Sequence, residues 1–245
     1  MKDINFKHTE DTLFLEEEHI ILKEQLKKFV ETEVKPVAQK WEYDGFIPRE
    51  VFRKMGSLGF LGITYPIEFG GSEMDVRGSV VFAEELGKST FSGFAIASLV
   101  HTDMASVHLL NAGNKEQKDK YLSDIVSGEK ISCVAVTEPH AGSDVKNIRT
   151  KAVKVGNKYL INGSKIFITN GVHSEIYFVA AKTSDALQQS DNITMFIVRK
   201  DNPGLIVNKQ LDKHGWRCSD TAELFFQDCE VEEADVLGKL HKGFY

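Results

Sequence analysis

Residues 131–144 read ISCVAVTEPHAGSD, and the character of the chain changes there. Ile131 to Val136 is short, apolar and β-branched, the composition of a packed strand. Glu138-Pro139 ends it, because proline has no N–H to offer a neighbouring strand. Ala141-Gly142-Ser143 follows. These small residues leave backbone N–H groups open, Gly142 admits a left-handed conformation, and successive N–H groups pointing one way make an anion cradle. Read locally, the stretch is either a strand that ends in a ligand-facing turn or an ordinary strand closed by Pro and Gly.

Upstream of it, apolar residues recur every three to four positions. Leu22, Leu26, Phe29, Val30, Val34, Val37 and Trp41 give one face of a helix over Glu16–Trp41, which Pro36 kinks or restarts. A second helix is predicted over Pro48–Leu58, a glycine-rich turn over Pro66–Gly71 and a third helix over Val76–Lys88, whose Glu84-Glu85 pair reads as solvated. The fourth, Phe94–Ala112, is apolar almost all round and so belongs inside a bundle. His101-Thr102-Asp103 interrupts it, as satisfied core groups or as the lining of a pocket. Asn114 caps a fifth helix running to Gly128, with Gln117 at the capping-box position.

Downstream the period falls to two. Strands are predicted over Arg149–Val155, Lys158–Ile161, Lys165–Thr169, Glu175–Lys182, Ile193–Arg199, Gly204–Asn208 and Ala222–Gln227, with Asn157 and Gly163 in turns. Thr183–Asn192 reads as an exposed loop. The fold class is therefore α+β and multidomain: an N-terminal all-α helical bundle over 1–130, then an antiparallel β-barrel or sandwich domain over 131–237.

The 245 residues are 42% hydrophobic, enough for a packed core, and a net charge of −6 argues against a nucleic-acid footprint. No apolar stretch is expected to reach the ~18 residues that span a bilayer. The N-terminus, MKDINFKHTEDTLFLEEEH, is charged and lacks the apolar centre of a signal peptide. Cys133, Cys218 and Cys229 are odd in number and form no C-x-x-C, so neither a disulfide framework nor structural zinc is expected, and a cytoplasmic location fits best. The histidines form no H-x-x-x-H pair, and no metal site is expected.

Three ordered stretches carry a family likeness: VTEPHAGSD within the opening stretch, INGSKIFITNG at Ile161–Gly171 and DTAELFFQD at Asp220–Asp228. Together they resemble the flavin-dependent acyl-CoA dehydrogenases, nearest to the long-chain type, with His140 where that family usually has a small residue. The resemblance implies FAD as cofactor, an acyl-CoA substrate of fatty-acid β-oxidation, electron-transfer flavoprotein as acceptor and a homo-oligomer, a tetramer in full-length relatives. It implies that Val134, Ala135, Val136 and Thr137 line the flavin, and that Gly142 and Ser143 lie at the cofactor pyrophosphate, Ser143 also near substrate. It further implies that Phe167 packs on the isoalloxazine beside Ile168 and Thr169, and that Ser190 and Asp191 approach coenzyme A. On strand pattern alone, Phe167 is also compatible with a plain core aromatic.

The same resemblance makes residues 238–245 the start of a C-terminal helical domain that the chain lacks. That domain normally supplies the carboxylate that takes the substrate α-proton. No catalytic residue is therefore assigned within the chain, Glu138 is read as holding its turn, and the fragment alone is expected to be inactive. Two other readings keep the motifs: a non-catalytic acyl-CoA or flavin-binding module, and an acyl-CoA oxidase or flavin monooxygenase on the same scaffold.

Overall fold

The computed structural model describes residues 14–184 and 192–244. Its first half is helical. α1 (Glu17–Phe29) continues into a π-helical segment, Val30–Val34, and α2 (Ala38–Asp44) follows the break at Pro36. The helix expected over Glu16–Trp41 is thus two, since proline removes an N–H and its ring clashes with the preceding turn. Then come α3 (Arg49–Ser57), α4 (Val76–Gly87), α5 (Ser92–Leu99), a second π segment (Val100–Ala105), α6 (Ser106–Ala112) and α7 (Lys115–Val126). α7 begins as its sequence requires: Gln117 N–H donates to the Asn114 side chain at 2.8 Å, and Asn114 N–H donates to the Gln117 side chain at 3.1 Å. Leu26, Trp41, Phe52, Met55, Phe82 and Phe94 meet in the helical core.

Ser92–Ala112 is a 21-residue helical stretch long and apolar enough to cross a membrane, which corrects the expectation that no such stretch exists. Much of it is buried within the bundle, with Phe94, Ala97 and Ala105 packed inside. Its middle is the π segment, where backbone partners shift by a residue and side chains must satisfy the released carbonyls. Tyr65 Oη donates to Thr102 O at 2.7 Å and lies 2.8 Å from Ser106 Oγ, which itself bonds His101 O. The segment buries His101 and Thr102 and turns Asp103 and Met104 outward.

β1 (Ser132–Ala135), β2 (Lys151–Val155), β3 (Lys158–Thr169), β4 (Ile176–Lys182), β5 (Ile193–Arg199), β6 (Leu205–Gln210), β7 (Thr221–Glu232) and β8 (Val236–Leu237) form the second half. The order along the sheet is β6-β7-β3-β2-β4-β5-β8, with β1 beside β4. Most pairings are antiparallel, but β1 and β4 run parallel, Ser132 opposite Ile176 through Ala135 opposite Val179. The expected helical part followed by a β-domain is found, and the sheet within it is mixed rather than wholly antiparallel, since β2 also meets β4 in parallel. The reason is connectivity: β1 arrives from the helices, and the chain must pass through β2 and β3 before β4 lies beside it. Both faces of β4 and β5 are covered. Tyr177, Val179, Phe196 and Val198 pack with Leu224 and Phe226 inside the curled sheet, while Phe178, Ala180, Met195 and Ile197 pack on Leu109, Leu122 and Ile125.

β3 corrects a second expectation. Gly163 is no hairpin turn; it sits inside one strand at a register shift against β7. Its φ is 151°, and a Cβ there would meet Thr150 Oγ1 at 2.5 Å, so the position takes glycine for close approach rather than for reversal. The expectation of a strand from Arg149 is shortened to Lys151, because Arg149 and Thr150 give their N–H groups to a side chain described below. Of the exposed loop expected over Thr183–Asn192, most lies outside the described residues. The segment 238–244 folds back on β5, with Gly243 N–H donating to Ile193 O at 2.9 Å and His241 N–H to Thr194 Oγ1 at 2.9 Å.

Two of the polar links that tie helices to sheet meet at the start of β1. Arg49 on α3 holds Glu175 through both nitrogens, at 2.9 and 2.5 Å, and Glu175 accepts from Ile131 N–H at 2.9 Å. Bidentate pairing of this kind fixes orientation as well as distance. His101 makes the other link: its Nε2 lies 3.0 Å from Ile125 O, and Ser132 N–H donates to its Nδ1 at 3.1 Å. These partners fix the neutral ring with the proton on Nε2. Burial pulls the His101 pKa down to about 4; the bond to Ile125 O opposes this and the nearby Arg49 charge adds to it.

Because the unfolded chain binds this proton at about pH 6.5 and the folded chain only near its lowered value, stability is fully present above the unfolded value and falls on acidification. Between about pH 7 and about pH 5 the loss from His101 is on the order of 2 kcal/mol. Urea unfolding of the wild type and His101→Gln at the two pH values checks this. The wild type should lose more stability than the variant, and parallel losses would contradict the assignment.

Candidate functional site

A cleft of about 460 Å³ opens between the Val100–Ala105 π segment and α6 on one side and β1 and β3 on the other. The helical wall supplies Val100, Asp103, Met104, Val107 and His108. The sheet wall supplies Val134, Val136, Thr137, Phe167, Ile168 and Thr169, so six positions singled out by the sequence converge here. Ala135 alternates away into the sheet core, as a strand's period of two demands. Gly142 and Ser143 lie exposed on the turn that follows Thr137. Ser190 and Asp191 lie outside the described residues.

Phe167 is 64% exposed, which removes the reading of it as a core aromatic. Its display is built into the backbone. β3 slips register against β7 between Lys165 and Ile168, and Phe167 has φ of 62°. A non-glycine residue in the left-handed region is strained, and such strain persists only where surroundings enforce it. Here the enforcement is visible on both sides. Ile166 N–H donates to Thr137 O at 2.9 Å, joining β3 to the end of β1. Asn170, with φ of 63°, sends its amide to Ala97 O at 2.9 Å, and Asp220 accepts from Val172 N–H at 2.7 Å. Burial pushes the Asp220 carboxyl up, with Val172 N–H and the charges of His173, Lys213 and Lys200 opposing.

Behind this wall lies a buried ion pair. Glu138 is 2% and Lys165 0% exposed in their side chains, with Lys165 Nζ at 2.8 Å from Glu138 Oε1. The ammonium also donates to Val136 O at 2.9 Å. The carboxylate accepts from Arg149 N–H at 2.5 Å and Thr150 N–H at 3.0 Å. One pair therefore ties together the end of β1, the start of β2 and the bulge of β3. Burial works against the charge on Glu138, but Lys165 and the two N–H groups hold its carboxyl below the usual range. Burial draws Lys165 down to about 8, against the pull of Glu138. At neutral pH both are charged. The turn itself is closed by Glu138 N–H to Ala141 O at 2.9 Å and Ala141 N–H to Glu138 O at 3.1 Å.

The wall offers a ligand an exposed aromatic face, two threonine hydroxyls, and the N–H groups of Gly142 and Ser143, none of which bonds another described residue. That donor set suits a planar heteroaromatic ring joined to a phosphate. The opposite wall is apolar apart from Asp103 and His108. Sequence reading assigned no site role to Met104, Val107 or His108 and left Asp103 as either core or pocket. The polar interruption of an apolar helix was the signal available, and the π segment resolves it by sending His101 and Thr102 inward and Asp103 to the cleft. Among the described residues no group of His, Cys, Asp and Glu side chains is placed to hold a metal.

Residues 16–129 match the acyl-CoA dehydrogenase N-terminal domain and residues 133–229 the acyl-CoA dehydrogenase middle domain. The chain is 40% identical over 234 residues to isovaleryl-CoA dehydrogenase of Pongo abelii, covering 94% of this chain and 55% of that protein. It is 38% identical over 229 residues to the long-chain specific acyl-CoA dehydrogenase of Rattus norvegicus, covering 93% and 53%. The two identities are nearly equal, so likeness alone selects no acyl chain length. An acyl-CoA dehydrogenase from Geobacillus kaustophilus superposes with TM-score 0.89 at 41% identity, over 95% of this chain and 61% of that one. An acyl-CoA dehydrogenase from Bacillus anthracis complexed with FAD superposes with TM-score 0.86 at 31% identity, over 94% and 39%. The chain spans about half the length of the curated relatives it matches.

Removal of either partner of the buried pair should destabilise the chain by roughly 3–5 kcal/mol, because it strands a charge. Glu138→Gln and Lys165→Met, measured by urea unfolding, should each show this loss. The double variant should cost clearly less than the sum. Additive losses would show that the two groups are not coupled.

Proposed function

The chain belongs to the acyl-CoA dehydrogenase family, and we propose that it forms the flavin- and acyl-facing half of an FAD-dependent acyl-CoA dehydrogenase. The observation that carries this is the convergence of Val134, Val136, Thr137, Phe167, Ile168 and Thr169 on one cleft wall, displayed by a strained bulge and an adjoining turn with open N–H groups. FAD, when bound, would supply the acceptor for the hydride that leaves the substrate β-carbon. Phe167 and Ile168 would hold the ring and Thr137 and Thr169 would offer hydroxyls to its polar edge. Gly142 and Ser143 would offer their N–H groups to phosphate oxygens. Val100, Met104 and Val107 present an apolar surface to the acyl chain and keep water from it.

Desaturation also needs a base within hydrogen-bond reach of the α-carbon. Asp103 is the carboxylate on the cleft wall, and the Thr102 hydroxyl bonds it at 2.5 Å. We assign it no proton transfer, and place the base in the part of the relatives that this chain does not span. In this reading residues 1–245 alone are inactive. A helical domain over 1–130 and a sheet domain over 131–237 are the units of this reading. An electron-transfer flavoprotein as acceptor, assembly into a homo-oligomer and a cytoplasmic location belong to the same proposal and rest on the family likeness and the composition.

The test is to purify the complete gene product, load FAD and record the visible spectrum while adding acyl-CoAs of increasing length. Bleaching of the flavin bands by at least one acyl-CoA is expected, and a protein that ignores FAD would overturn the reading. Thr169→Val should slow that reduction by an amount corresponding to roughly 1 kcal/mol while leaving unfolding unchanged. Unaltered reduction kinetics would remove Thr169 from the flavin edge.

A further inference from the structure

β3 ends at Thr169, paired with Thr221 of β7, and the residue before Thr221 carries the pairing round the next turn. Asn170 N–H donates to Asp220 O at 3.0 Å, and Gly171 N–H turns back to Ile168 O at 3.1 Å. The Asp220 carboxylate then takes over from the backbone and accepts Val172 N–H at 2.7 Å. One residue therefore grips both ends of the Asn170–Val172 turn, which follows Ile168 and Thr169 of the cleft wall.

Asp220 is 5% exposed and does not line the cleft. Its place is fixed from both sides, since Lys213 Nζ donates to Ser219 O and, at 2.8 Å, to Thr221 Oγ1. The turn has other restraints as well: the Asn170 amide reaches Ala97 O at 2.9 Å, and Tyr177 Oη donates to Gly171 O at 3.0 Å. It is tightly packed, because a Cβ on Gly171 would meet Ala222 Cβ at 2.7 Å. Asn170 keeps its φ of 63° only under such restraint. A carboxyl out of water is costly unless its bonds are made, and the bond to Val172 N–H joins this one to the turn. Without that acceptor the turn can relax toward ordinary backbone, and Thr169, next to it in the chain, moves with it.

We propose that Asp220 is a positioning residue for the reaction: by bonding the Asn170–Val172 turn, it fixes the direction in which Thr169 presents its hydroxyl to the cleft. The inference rests on the flavin reading above. A hydrogen bond weakens steeply as its length and angle depart from the best values, so a small rotation at Thr169 removes most of what the hydroxyl contributes. The cleft-facing end of β3 then has two anchors. The Glu138–Lys165 pair holds the stretch before Phe167, and Asp220 holds the stretch after Thr169. Neither anchor touches what lies in the cleft.

The complete gene product is prepared as wild type, Asp220→Asn, which keeps an oxygen acceptor for Val172 N–H, and Asp220→Leu, which has similar volume and no acceptor. Asp220→Ala stands beside Asp220→Leu in case the larger side chain prevents folding, and unfolding is measured for each. Thr169→Val is combined with every one of them. Without flavin, hydrogen exchange over residues 168–174 should be faster in Asp220→Leu than in wild type, with Asp220→Asn restoring the slow rate. With FAD bound, Asp220→Leu should slow the limiting rate of flavin reduction by acyl-CoA by roughly threefold to tenfold, the loss expected of one hydrogen bond. The half-saturating acyl-CoA concentration should stay the same. Adding Thr169→Val should cost nothing further in Asp220→Leu or Asp220→Ala, and should cost its full factor in Asp220→Asn. Losses that multiply in the double variants, unchanged reduction in Asp220→Leu, or an Asp220→Asn that loses the Thr169 factor would overturn the inference and leave the flavin reading intact. A wild type that binds no FAD would overturn the flavin reading and this inference with it.

Discussion

A lysine and a glutamate with almost no solvent exposure hold the sheet wall in place. Two buried charges are costly to desolvate, and they are tolerated where every remaining donor and acceptor is satisfied. Glu138 and Lys165 meet that condition through Val136 O and the N–H groups of Arg149 and Thr150. Three separate strands meet at this one contact. Their ends carry Val136, Thr137 and the Phe167 bulge, so the geometry of the cleft depends on a pair that does not itself line it. A hydrophobic pair of similar volume would fill the space, but it would satisfy neither the Val136 carbonyl nor the two N–H groups.

The helical half contributes through a different constraint. An α-helix of uniform register across Ser92–Ala112 would carry its polar residues round the helix in even steps. The π segment breaks that register and separates three consecutive polar residues by destination. His101 goes inward to bridge Ile125 and Ser132, and Asp103 goes to the cleft. The cost is a set of carbonyls out of helical register, and Tyr65 and Ser106 answer it. The helices and the sheet are thus joined by His101 and by the Arg49–Glu175 pair, one neutral and one charged.

Much of this was legible in the sequence, and the reasons are local. The Asn114 capping box and the strand at Ile193–Arg199 depend on residues close along the chain or on a strong apolar run, and each is found as read; Glu138 closes its turn through its backbone, while its side chain serves distant strands. What was not legible depends on partners far away in sequence. Gly163 looked like a turn because glycine between polar neighbours usually is one; its real constraint is the proximity of Thr150. The parallel pairing of β1 with β4 is invisible to periodicity, which reports faces but not direction. Phe167 followed a strand pattern that would bury it, and only the bulge, enforced across β7, exposes it. In the cleft, the sheet wall came from motifs, while Met104, Val107 and His108 carried no motif at all.

The central claim is that the cleft between the π segment and the β1–β3 wall is where the flavin ring lies. The most direct test is an experimental structure of the complete gene product with FAD bound. The account predicts the isoalloxazine against Phe167, Ile168 and Thr169, with Val134, Val136 and Thr137 along its edge and the pyrophosphate at the Gly142–Ser143 turn. A flavin bound elsewhere, with this cleft filled by the protein's own side chains, would contradict it.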